Sequence, residues 1–215
     1  MYSWLVSCTQ PLPPDTSYLE GKPCAAPCWQ GITPGITDEA TALKIISDPT
    51  LVEQDSIRGG INSIDPSRSG YIYRRVSGGS GGIGLKDGIV YRIGIRPGND
   101  LTLGEVINAF GIPDFVHVED SSQERYCYAV DLYYLEKGIW VNTGVCEEPN
   151  STYKLLERTA WVDPDIEVGG LTFFEPGPDL RSVLIDSLLF TSDNAEAIIA
   201  YAFPWEDFDF YPLAP

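Results

Sequence analysis

Between Gly94 and Pro113 the apolar residues fall at helical spacing. Leu103, Val106, Ile107 and Phe110 occupy positions i, i+3, i+4 and i+7 and so share one face of a short amphipathic helix. Thr102 stands where a cap is needed, and Glu105, three residues on, completes a capping box. Leu101 and Val106 form the two ends of a hydrophobic staple, and Gly111 followed by Pro113 supplies the stop. A second helix is predicted over Asp38–Ser47, with Thr37 as N-cap, Pro49 as stop, and Ala40, Leu43 and Ile46 or Ser47 turned inward. Each helix follows a Gly-Ile-x-Pro-Gly turn, at Gly31–Gly35 and at Gly94–Gly98, a separation of 63 residues (94 − 31). The stopping prolines repeat at 64 (113 − 49). These matches indicate an internal duplication.

Strand patterns follow each helix. In the first copy they are Tyr71–Val76, Ile83–Leu85 and Ile89–Ile95, the last two flanking the hairpin signal Asp87-Gly88. In the second they are Phe115–Val118, Tyr126–Tyr134 and Ile139–Val145, with further strands at Arg158–Val162 and Leu171–Phe174. If Leu135–Gly138 is the turn, Tyr134 faces Ile139 and paired residue numbers sum to 273 (134 + 139). Leu132–Val141, Val130–Thr143 and Tyr128–Val145 then form the core face. The other face pairs Tyr133 with Trp140, Asp131 with Asn142, and Cys127 with Cys146, close enough for a disulfide. After the breaker Pro176-Gly177-Pro178, Asp179–Leu189 reads as a helix or buried connection, and a helix starting near Asp193 ends by Pro204. The tail Trp205–Tyr211 alternates rings with acids, as an edge strand or wrapping arm would.

The predicted fold is therefore α+β: tandem helix-plus-antiparallel-sheet modules with short helices packed on one sheet face. Residues 1–8 read as a shortened lipoprotein signal with its lipobox, and 9–27, rich in proline, as an extended tether. Residues 28–97 form the first module, 98–175 the second, and 176–215 a C-terminal helix and aromatic, acidic tail packing on both.

Charge and cysteines narrow the setting. Fourteen basic against 31 acidic residues give a formal net charge of −17, which disfavours nucleic acid and anionic lipid as partners. Leu5-Val6-Ser7-Cys8 reads as a bacterial lipobox, making Cys8 the lipidated residue and the lipid the chain's sole membrane contact. Four other cysteines suit an exported protein with two disulfides. With Cys127–Cys146 assigned by the hairpin, Cys24 and Cys28 remain to close a small loop; pairings that cross from this loop to the hairpin stay open.

No motif names a reaction. The single histidine, His117, alternates with apolar residues and is expected on a solvated strand face rather than in catalysis. Gly79–Gly84 matches G-x-G-x-x-G but precedes a hairpin rather than a helix, so Ser77–Gly84 is read as a flexible loop. Asn150-Ser151-Thr152 is read as an ordinary turn. Glu206, Asp207 and Asp209, or Asp163 and Asp165, are weak calcium candidates, and acids of this kind could also serve an envelope hydrolase. No cofactor is expected. Tyr133 and Trp140, with Tyr71 and Tyr73 on a neighbouring hairpin, form the candidate binding surface, unless a second layer covers them.

The layout of a helix introduced by a Pro-Gly turn, ended by Gly-x-Pro and followed by antiparallel strands, run twice, resembles the tandem module of the beta-lactamase-inhibitor-protein-like fold. The small lipoprotein of the outer-membrane assembly machinery is similar in one copy, at Thr102, Glu105, Val106, Gly111 and Pro113. Pro27–Gly35, Gly111–Asp114 and the lipobox together resemble an uncharacterised group of bacterial lipoproteins. The resemblance covers roughly residues 28–175 and implies fold and export, with no catalytic centre and no residue of known function to carry over. Such modules mostly bind proteins, so the expected function is a lipid-anchored extracytoplasmic binding protein. Its partner would be an envelope protein or polymer; the alternatives are a hydrolase using acidic residues and a calcium-binding spacer.

Overall fold

The computed structural model describes residues 16–62, 65–98, 101–120, 127–146 and 159–214. Cys8 and Asn150-Ser151-Thr152 lie outside the described residues. Helix α1 (Glu39–Ile46) begins at Asp38, whose side chain accepts from the Thr41 N–H. Thr37 is not the cap: it is buried, and its hydroxyl accepts from the Thr33 N–H at 2.8 Å. Ala42 and Ile46, rather than Ala40, form the buried face, with Leu43 at its edge. Four strands follow: β1 (Arg58–Ile61), β2 (Arg68–Arg74), β3 (Ser80–Lys86) and β4 (Ile89–Arg96). Asp87 and Gly88 both have positive φ, 51° and 77°, which matches the hairpin's twist to that of its strands. The expected loop at Ser77–Gly84 is strand from Ser80 on.

Helix α2 (Leu103–Phe110) carries the capping box in full, with Leu103, Val106 and Phe110 buried. It leads to β5 (Phe115–Asp120), β6 (Cys127–Tyr134), β7 (Ile139–Thr143), β8 (Val145–Cys146), β9 (Thr159–Trp161) and β10 (Val168–Phe174). Next come α3 (Leu180–Ser182), which runs into a π-helical turn at Val183–Ser187, then α4 (Ser192–Ala200), β11 (Ala202–Pro204) and β12 (Phe210–Pro212). Ten strands form one antiparallel sheet in the order β1-β2-β3-β4-β10-β7-β6-β5-β11, with β8 beside β6; β9 and β12 pair separately.

The two halves repeat one hydrogen-bond pattern. The N-cap of α1, Asp38, bridges Ile89, with Glu39 donating to the Gly88 carbonyl and Val90 to the Thr37 carbonyl. Thr102, the N-cap of α2, bridges Glu167, with Leu103 donating to the Ile166 carbonyl and Val168 to the Leu101 carbonyl. In each half the helix entrance is thus pinned to the start of the fourth long strand of a meander, β4 or β10. Those two strands pair with each other, which fuses the halves and covers the edge that each would expose at their junction; β1 and β11 are the outer edges of the joint sheet. The Gly-Ile-x-Pro-Gly repeat itself is not equivalent in backbone: Gly31 sits in a turn with φ +87°, whereas Gly94 lies inside β4. What repeats is the helix and its anchoring.

The β6–β7 register has the pairing Tyr134–Ile139, Tyr133–Trp140, Leu132–Val141 and Asp131–Asn142, continued in β8 by Cys127 opposite Cys146. Disulfides join Cys127 to Cys146 and Cys24 to Cys28. They fit an oxidising, extracytoplasmic compartment. Among the described residues no helix is long and apolar enough to cross a membrane.

Two apolar layers sandwich the sheet. On one face α1 and α2 pack over Ile93, Ile95, Val130, Leu132 and Phe173. On the other, α3, the π turn and α4 cover Tyr133 and Phe174 of the second half alone. The tether expected over residues 9–27 is docked from Thr16 onward, because Tyr18 is 1% exposed and belongs to the main core. In the tail, Tyr211 is buried and β12 pairs with β9, while Asp207 and Asp209 accept from the backbone N–H of the next residue. These carboxylates and Glu206 build a turn; among the described residues no group of three or more His, Cys, Asp or Glu converges on a metal position.

Candidate functional site

The four aromatic residues expected at the surface do not form one. Tyr133 and Trp140 stack across β6 and β7, with planes 5° apart and centroids at 6.3 Å, but the C-terminal segment lies over them. Tyr133 is 0% exposed, and Phe190 meets Trp140 edge-on at 5.8 Å. His117, expected in solvent, is 2% exposed beneath the same layer. The strand period of two does turn these side chains away from the main core, but residues 180–200 cover the face to which they turn.

Tyr71 and Tyr73 lie on the core side of β2. Each fills the space over the glycine paired with it on the next strand: Tyr71 over Gly59, where a Cβ would meet its ring at 2.8 Å, and Tyr73 over Gly81. Aromatic rings covering strand glycines restore packing that the glycine itself cannot provide. Tyr73 also stacks on Trp29 at 5.8 Å, and Tyr71 donates to Glu39 of α1 at 2.6 Å. That hydrogen bond to a carboxylate, then burial, holds the Tyr71 phenol above its ordinary value.

With the tyrosines turned inward, Ile72 between them points outward and is 66% exposed. A row across the sheet runs from Ile72 through Gly82 and Gly94 to Thr172, each residue paired with the next. Side chains stand up at both ends and are missing in the middle. Adjacent strands are about 4.8 Å apart, so the two glycines open a trough roughly 14 Å wide between Ile72 and Thr172. Two adjoining depressions, about 240 and 330 Å³, lie along it and share Ile72, Gly82, Gly94 and Thr172.

Arginines border this trough. In Arg92-Ile93-Gly94-Ile95-Arg96 the two isoleucines are buried in the core, so the alternation turns Arg92, Gly94 and Arg96 to the opposite face. At one end the β3–β4 register shifts, leaving Tyr91 as an extra residue opposite Gly84. Such a bulge re-aims side chains, and Tyr91 and Arg92 both line the trough with the guanidinium 5.3 Å from the ring centroid. Arg68 and Arg74 on β2 are held by Asp65 and Glu53, each at 2.8 Å. Among the described residues no carboxylate pairs with Arg92 or Arg96. Two guanidiniums thus face solvent across bare backbone in a chain of net charge −17.

The trough was legible in principle. Once Ile93 and Ile95 are read as inward, Arg-x-Gly-x-Arg describes the outward face of β4; what sequence lacked was the register that lays Gly82 beside Gly94. No family model, no curated protein and no solved structure matches this chain.

Proposed function

We propose that this chain is an exported, lipid-anchored binding protein without catalytic activity, and that the sheet trough, where two arginines locally reverse the negative charge that repels polyanions elsewhere, holds an anionic envelope polymer. The observation that carries the reading is the pair Arg92 and Arg96 flanking Gly94 on a sheet face that no described element covers. Four residues along a strand span about 13 Å, so the two guanidiniums meet successive anionic groups of an extended chain that lies flat on glycine. Arginine forks suit carboxylate and phosphate oxygens. Cys8, in its lipobox, is the anchor in this reading, and the two disulfides support export. The resemblance read from the sequence is to the beta-lactamase-inhibitor-protein-like fold, whose modules mostly bind proteins. An acidic protein segment is therefore the competing occupant of the same trough. In the tail, Asp207 and Asp209 each accept from the next backbone N–H, which supports a turn-building role for these carboxylates.

Two variants of the full chain separate the parts of the proposal. Wild type is expected to co-sediment with sheared anionic wall polymer at low salt, and Arg92→Glu with Arg96→Glu to weaken this at least tenfold, on the order of 1.4 kcal/mol. Cys8→Ser is expected to leave the membrane fraction while still binding polymer. Unchanged binding by the double variant would remove the trough; membrane retention of Cys8→Ser would remove the anchor.

A further inference from the structure

A cavity of about 400 Å³ lies between the sheet and α4, on the face shared by β5, β6 and β7. Its floor is made of alternating strand residues: His117 and Glu119 from β5, Asp131 and Tyr133 from β6, Trp140 from β7. Phe190, Ala197 and Ile198 supply the apolar side and Asn194 a polar rim. The volume is in the range of sites for small ligands.

Two features give the cavity a chemical preference. Among the described residues its lining is one-sided in charge: two carboxylates, Asp131 and Glu119, face one imidazole, with neither lysine nor arginine. The second feature is a buried phenol without a partner. Tyr133 is 0% exposed, and among the described residues its hydroxyl finds no hydrogen-bond partner. Leaving such a group unmade costs about 1–3 kcal/mol, unless a ligand completes it. Burial first, then Asp131 and Glu119, push the Tyr133 phenol well above its ordinary value, so it stays neutral with oxygen lone pairs to offer.

Asp131 is held in place. Its Oδ1 accepts from the Trp140 indole N–H at 2.8 Å, and its Oδ2 lies 3.5 Å from His117 Nδ1. Each oxygen keeps a further lone pair. The stacked rings of Tyr133 and Trp140 and the edge-on ring of Phe190 then stand beside a fixed carboxylate. Aromatic faces with a nearby acid attract organic cations more strongly than water does when the site is partly dry.

We propose that this cavity binds a small organic ammonium ion, with Asp131 neutralising it, Tyr133 accepting one of its hydrogen bonds, and Trp140 and Phe190 enclosing its alkyl part. The site is separate from the sheet trough and stands without it.

His117 is the only histidine in the chain, so its imidazole resonances report on this cavity alone. Titration of the full chain with n-butylammonium is expected to move them saturably, with Kd on the order of 1 mM for five non-hydrogen atoms. Sodium butyrate and butanol, of similar size, are expected to leave them in place. Asp131→Asn keeps an acceptor for Trp140 and is expected to weaken the ammonium at least tenfold. Tyr133→Phe is expected to weaken it several-fold without lowering the melting temperature, a split that a purely structural role would not produce. No saturable shift with n-butylammonium, an equal shift with butanol, or unchanged affinity in a folded Asp131→Asn protein would each overturn the proposal.

Discussion

Tyr73→Ala is expected to destabilise the fold by about 3–5 kcal/mol, the range for deleting a fully buried aromatic ring. The ring is 2% exposed, stacks on Trp29, and is the lid over Gly81. Because Gly81 has no side chain to move into the gap, relaxation recovers little and the high end applies. Tyr73→Phe separates the ring from its hydroxyl, which is buried without a hydrogen bond. Removing it is expected to be neutral or stabilising near pH 8. At alkaline pH the two proteins should diverge further. Burial raises the Tyr73 phenol above its ordinary value of 10.0, against a smaller opposing effect of Arg75. Above pH 10 the unfolded chain therefore releases a proton that the folded chain keeps. Stability is flat below that point and falls by about 1.4 kcal/mol per pH unit above it for this group. Urea denaturation at pH 8 and pH 11 checks both parts: Tyr73→Phe should lose less stability between the two than wild type. A loss under 1 kcal/mol for Tyr73→Ala would mean that the ring is not a structural lid.

Cys127→Ala with Cys146→Ala is expected to cost about 3 kcal/mol, from the chain entropy restored when a link between residues 19 apart is removed. In a chain of this size that corresponds to roughly 6–12 °C in Tm. The bridge holds the end of β6 to β8 beyond the main β6–β7 ladder, so its loss is felt first where the strands separate. The Cys24–Cys28 link closes a far shorter loop and should contribute less, about 2 kcal/mol. Scanning calorimetry of the two double variants, with thiol titration of the unreduced wild type, checks the order. Equal or reversed losses would overturn the loop-length order, and a loss under about 1 kcal/mol for the Cys127→Ala, Cys146→Ala variant would show that the hairpin bridge adds nothing to the ladder.

The sequence yields most where one local rule leaves one answer. The register of β6 on β7 follows from a four-residue turn and strand parity, and the disulfide follows from the register. The α2 capping box is likewise local. The Tyr71-Ile72-Tyr73 alternation names two faces but not which is inside. That choice is made by Gly59 and Gly81 on neighbouring strands, whose missing side chains leave room for rings on the core side. Strand β1, Arg-Gly-Gly-Ile, has no apolar period and exists because β2 offers it an edge. The burial of His117 and Tyr133 depends on residues 180–200, whose folding back over the second half no local pattern encodes. Among the described residues the first half receives no such cover, and that asymmetry leaves the trough.

If the face that no described element covers is kept bare for a ligand rather than for the fold, Gly94→Val separates the two roles. A Cβ at Gly94 meets no atom closer than 4.0 Å, and valine suits a strand better than glycine does. Measured together by urea denaturation and polymer co-sedimentation, Gly94→Val should be as stable as wild type or about 0.5–1 kcal/mol more stable, and should bind polymer at least tenfold more weakly. Undiminished binding, or a marked loss of stability, would contradict the account.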